Sequence, residues 1–144
     1  MTLLGPDVAS PRASGRYTVG VPMWMWVNQS ATTYGPNTAS ATAGGVTVTA
    51  TAKVSRIVWA MGDGSSVTCN GPGTPYTSSQ DMAQSPTCGH LYAKTSARAQ
   101  SGRFPVTATS TWTIDWQGGG QADQLLEVRQ TTVQVAVGEV QVVR

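Results

Sequence analysis

From Phe104 to Trp116 the chain alternates without a break. Phe104, Val106, Ala108, Ser110, Trp112, Ile114 and Trp116 fall on one parity, and Thr107, Thr109, Thr111, Thr113 and Asp115 on the other. A period of two belongs to an extended strand with one face buried and does not fit an amphipathic helix. The run covers about fourteen residues, against the usual five or six. It therefore predicts a long strand, turned by Gln117-Gly118-Gly119-Gly120-Gln121 into a hairpin whose return begins near Asp123. On that return Leu126 and Val128 share one parity, and Val133, Val135 and Val137 take the other. A change of buried face calls for a β-bulge, expected near Gln130-Thr131-Thr132. Gly138 breaks the strand before a last short apolar run, Val140 to Val143.

The same logic places further strands upstream. Val46, Val48, Ala50 and Ala52 alternate with Thr47, Thr49 and Thr51, and a following strand turns Ile57, Trp59 and Met61 inward. Residues 17–27 read as a strand by composition, with Pro22 barring a central place in a sheet. Met23, Met25 and Val27 point one way there, and Trp24 and Trp26 the other. Residues 28–45 read as polar and turn-rich, around Tyr34-Gly35-Pro36-Asn37 and Gly44-Gly45. Short strand fragments between turns such as Asn70-Gly71-Pro72-Gly73 fill 65–88, and 74–87 is a long surface connection. No helix of any length is expected. The predicted class is all-β.

With 144 residues the chain has the size of one domain, and a small two-layer all-β domain needs only about 100. The surplus lies mostly at the N-terminus, where residues 1–16 carry little periodicity and read as a linker or loose arm; 17–144 is the folded domain. Charge is sparse, nine basic and seven acidic residues, net +2. The basic ones are dispersed, so no nucleic-acid footprint forms. No stretch approaches the length of a membrane span.

Two cysteines, Cys69 and Cys88, sit in Gly/Pro/Ser-rich loops. One disulfide between them fits, closing a loop of about 20 residues and contributing on the order of 3 kcal/mol; two reduced thiols are the alternative. A zinc site lacks ligands, since His90 is the only histidine. A disulfide implies an oxidising compartment, yet Met1-Thr2-Leu3-Leu4-Gly5-Pro6 is no signal peptide. The expectation that reconciles the two is an excised domain whose export signal lies upstream.

The order Trp59-Ala60-Met61-Gly62-Asp63-Gly64, then His90-Leu91-Tyr92, then Gly102-Arg103-Phe104-Pro105-Val106 resembles the PKD domain, an immunoglobulin-like module, over roughly Val46 to Val137. Met61 stands where Phe is usual, and the stretch from Gly64 to His90 is long and cysteine-bearing. The blend of Pro22-Met23-Trp24-Met25-Trp26, Tyr34-Gly35-Pro36-Asn37 and Ser85-Pro86-Thr87-Cys88-Gly89-His90 is also similar to the C-terminal region of exported actinobacterial proteins of unknown role. The resemblance implies a β-sandwich with an extra N-terminal strand, an extracellular or cell-envelope location and a non-catalytic role. It also implies that Trp59, His90 and Tyr92 are core, and the alternation adds Phe104, Trp112 and Trp116 to the same buried face.

Asp63 between Gly62 and Gly64 reads as a turn whose carboxylate accepts backbone N–H bonds. Calcium is the alternative, if Asp81 and loop carbonyls join it. His90 lacks a nucleophile-elbow partner, and no Gly-x-x-x-x-Gly-Lys loop offers a nucleotide site. No cofactor is implied. Function is expected to be adhesion or scaffolding toward another envelope or extracellular protein. The rival is a carbohydrate-binding module, whose polysaccharide would stack on exposed Trp24, Trp26, Tyr34 or Tyr76.

Overall fold

Ten strands run in chain order as β1 (Asp7–Ser10), β2 (Arg16–Thr18), β3 (Met23–Trp24), β4 (Trp26–Asn28), β5 (Asn37–Ala43), β6 (Val46–Ala60), β7 (Ser66–Cys69), β8 (Gly89–His90), β9 (Phe104–Gly118) and β10 (Gln121–Gly138). With single 3₁₀ turns at Ser78–Gln80 and Gln100–Gly102 they make up the regular structure of residues 1–140, which this computed structural model describes. The chain is all-β, as its periodicity predicts. The short apolar run at 140–143 falls, beyond its first residue, outside the described residues.

One large sheet carries the order β2-β10-β9-β6-β5, with β7 paired to the second half of β6. Two small pairs, β1 with β4 and β3 with β8, form the facing layer. Main-chain bonds from Met25 to Cys88 and from Val27 to Pro72 bind that layer together. Between the layers pack Val54, Ile57, Trp59, Met61, Val106 and Trp112 from the large sheet against Met23, Met25 and Val27. Trp59 is fully buried, and its Nε1 is a buried donor without a partner among the described residues. The disulfide Cys69–Cys88 forms, with Cα atoms 5.7 Å apart. It ties the end of β7 to the residue before β8 and so clips one layer to the other.

Four expectations need correction. The first is the loose arm. Residues 7–10 pair with β4, Pro6 and Pro11 are buried, and Arg129 Nε donates to the Leu3 carbonyl at 3.1 Å. The arm packs because Leu3 and Val8 supply apolar surface that the short facing layer lacks. Second, the segment read as turn-rich contains β5, a seven-residue strand. Its Ala, Ser and Thr side chains carry too little apolar contrast to show a period.

The third concerns the bulge. β10 pairs with β9 in continuous register from Gln121 to Val135. Leu126 and Val128 are 61% and 57% exposed, so nothing requires the strand to change its buried face. The register shift lies instead in β6, between Val54 and Arg56, where Ser55 Oγ donates to the Thr111 carbonyl. There both parities are buried, Ala52 and Val54 before it and Ile57 and Trp59 after it, and an extra residue is the only way to keep both inward. The fourth correction concerns the aromatic surface and follows with the site.

Candidate binding surfaces

The Gly62-Asp63-Gly64 turn leaves β6 with positive φ at both glycines, 83° and 94°. A Cβ at Gly62 would lie 2.8 Å from the Cβ of Phe104, so the position has no room for a side chain. Asp63 accepts hydrogen bonds from the Ser65 backbone N–H at 2.9 Å and from Ser65 Oγ, and pairs with His90 Nε2 at 2.9 Å. Burial pushes the Asp63 carboxyl up, but the Ser65 bonds and the His90 contact and charge outweigh it, leaving the group below its ordinary value. His90 also sits edge-on to Tyr92, with centroids 4.7 Å apart, and the Tyr92 hydroxyl donates to the Met61 carbonyl. Burial, then the Asp63 and Tyr17 charges, hold the Tyr92 phenol protonated far into the alkaline range.

Ser65, His90 and Asp63 thus meet, but both Ser65 and Asp63 address the same ring nitrogen. A relay from hydroxyl through imidazole to carboxylate needs both nitrogens in series. This arrangement pins the β6–β7 turn onto β8. Asp81 lies elsewhere, beside Trp24 and Tyr76, and no cluster of three metal-ligating side chains occurs among the described residues.

The four aromatics expected on a surface do not share one. Tyr34 is 6% exposed and belongs to the core, where burial raises its phenol pKa. Trp24 is 5% exposed, capped edge-on by Tyr76 at 5.3 Å, with Nε1 donating to the Ala83 carbonyl. The 74–87 connection folds over this face, which strand parity alone leaves open. Trp26 is half-buried and Tyr76 exposed. Together with Tyr17, Arg12, Asp81 and Met82 they line an open groove of about 420 Å³.

A second surface lies at the far end of the large sheet. β5, the first half of β6, and the adjoining ends of β9 and β10 run on past the core as a four-stranded blade. β5 alone spans about 20 Å, and all its residues beyond Asn37 are exposed. On the face continuous with the core, cross-strand rows bring Ala39, Ala50, Trp116 and Asp123 together, and next to them Ala52, Ile114 and Leu125. Leu125 is 53% exposed and Val48 39%. The sequence signal for this surface was present in Val46, Val48 and Trp116, but alternation alone reads every such residue as buried.

Compared with protein-family models, with curated proteins and with solved structures, the chain matches none.

Proposed function

We propose that the chain is a non-catalytic module of the PKD type that works in the cell envelope or outside the cell and docks a protein partner through its blade. The observation that carries this reading is the half-open apolar face that Val48, Ala50, Trp116 and Leu125 form where the sheet runs on past the core residues Ala52 and Ile114. Contiguous exposed apolar surface on an ordered sheet marks an interaction site. Asp123 stands at its margin and forms no ion pair among the described residues, which suits a partner with an apolar ridge flanked by Lys or Arg. The disulfide favours an oxidising compartment.

The test is capture from solubilised envelope by the immobilised wild-type chain and by a Val48→Glu/Leu125→Glu variant of equal thermal stability. A discrete protein retained by the first and lost by the second supports the reading. Equal retention by both, or none by either, sinks it.

The groove favours a second reading, carbohydrate binding, because Trp26 and Tyr76 flank it beside Arg12 and Asp81. Sugar rings stack on such faces and hydrogen-bond to such side chains. Quenching or shifting of tryptophan fluorescence by soluble glycans, abolished by Tyr76→Ala, would bring that reading forward; a flat titration would end it.

A further inference from the structure

The blade has two free edges, and they differ in kind. The β10 edge carries Asp123, Glu127 and Arg129. Charges on an edge strand discourage another strand from adding there. β5, on the opposite edge, reads Asn37-Thr38-Ala39-Ser40-Ala41-Thr42-Ala43. It has no charge, no proline and no bulge against β6.

Its sequence is also symmetric. Thr38-Ala39-Ser40-Ala41-Thr42 reads the same in both directions. Two such strands laid antiparallel about Ser40 place Ser40 opposite Ser40, Thr38 opposite Thr42 and Ala39 opposite Ala41. Like meets like on each face, and no charges are brought together.

The backbone agrees with that register. Gly44 and Gly45, with φ of 57° and 79°, close a two-residue turn between the paired Ala43 and Val46. Such a turn joins its flanking residues by a main-chain hydrogen bond. By the alternation of an antiparallel ladder, Thr38, Ser40 and Thr42 then turn their own N–H and C=O groups away from β6. In the Ser40-centred register these groups face the same three residues of a second chain, giving about six main-chain hydrogen bonds. The side chains extend a pattern already present. Hydroxyl pairs link Thr38 to Thr51 at 3.4 Å, Ser40 to Thr49 at 3.0 Å and Thr42 to Thr47 at 2.8 Å. A second β5 adds one more rung to each.

We propose that β5 is the pairing edge for a second copy of this chain, two β5 strands meeting antiparallel about Ser40 to make one continuous eight-stranded sheet from two blades. The interface is isologous, as a two-fold dimer requires. The axis stands perpendicular to the sheet, so the two apolar blade faces lie on the same side and join into one platform. The inference rests on reading the blade as an interaction surface, and it adds the first partner, the chain itself.

The experiment is sedimentation of the full 144-residue chain over a concentration series, with Ser40→Lys and Ser40→Glu variants of unchanged thermal stability. Wild type is expected to dimerise. Each charged variant alone puts like charges at the two-fold axis, and its dimer weakens by at least about tenfold. Mixing the two variants restores a dimer, because only the Ser40-centred register sets that position opposite itself. A wild type that stays monomeric overturns the proposal, as do a dimer indifferent to Ser40→Lys and a mixture that stays monomeric. A monomeric chain that still captures a protein through Val48 and Leu125 overturns the self-pairing and leaves the docking reading standing.

Discussion

His90 Nε2 lies 2.9 Å from Asp63 Oδ2, joining the turn after β6 to the two-residue strand β8 across 27 positions of sequence. Against the upward push of burial, the hydrogen bonds from Ser65 and then the His90 contact keep the Asp63 carboxyl below its ordinary value. The folded chain therefore holds on to fewer protons than the unfolded one as pH approaches that of a free aspartate, about 3.9. Stability from this contact is fully present above that pH and is lost as pH falls through the folded value. The unfolding midpoint measured against pH should drop on the acid side for wild type, and Asp63→Asn should flatten that drop. His90→Ala should cost on the order of 1 kcal/mol at neutral pH. An Asp63→Asn profile that parallels wild type would show that the acid limb arises elsewhere.

Cys69 and Cys88 connect the layers through a loop of 19 positions. Replacing both with Ser should lower stability by roughly 3 kcal/mol through the freed unfolded chain. Chemical denaturation of the double variant, and of wild type under reductant, should shift by the same amount. A double variant as stable as the oxidised protein would mean that packing between the layers suffices without the link.

Gly62 and Gly64 both have positive φ, but only Gly62 is crowded, by Phe104 and Pro105; nothing stands within 4 Å of a Cβ at Gly64. Gly64→Ala should therefore cost about 1–2 kcal/mol from backbone strain alone. Gly62→Ala should cost more, since Phe104 and the Pro105 backbone must also move. Equal thermal shifts for the two would mean that the turn relaxes freely away from β9.

The sandwich was legible wherever burial and alternation coincide, as in Phe104 to Trp112 and in Ile57, Trp59 and Met61. It was misread where they part. Leu126 and Val128 keep perfect alternation yet face solvent, because they lie on the outer face of the sheet, opposite the parity of buried Val135 and Val137. β5 alternates only Ala with Ser and Thr, a contrast too small to separate from a loop. Trp24 is buried by residues from a connection some fifty positions later, which strand parity cannot report. The Asp63–His90 pair joins two motifs that were each visible, but the distance between them was not. The blade edge depends on which strand is left unpaired, and pairing order is a property of topology rather than of any local pattern.

The N-terminal residues give the last test. Leu4 accepts a hydrogen bond from Nε1 of the fully buried Trp112 at 3.4 Å, Leu3 accepts from Arg129, and Thr2 accepts from Asn37 Nδ2 at 2.9 Å. Removing residues 1–5 takes the acceptor from that indole N–H and the cover of Leu3 from the core, and lets water in at both. A lost hydrogen bond costs about 0.5–1.5 kcal/mol, and the apolar surface that Leu3 leaves bare adds to it. The urea midpoint of the shortened chain should fall accordingly, and the fluorescence of Trp112 should shift to the red as its ring gains water. A midpoint and spectrum unchanged by the truncation would mean that the arm lies on the sheet without stabilising it, as a linker would.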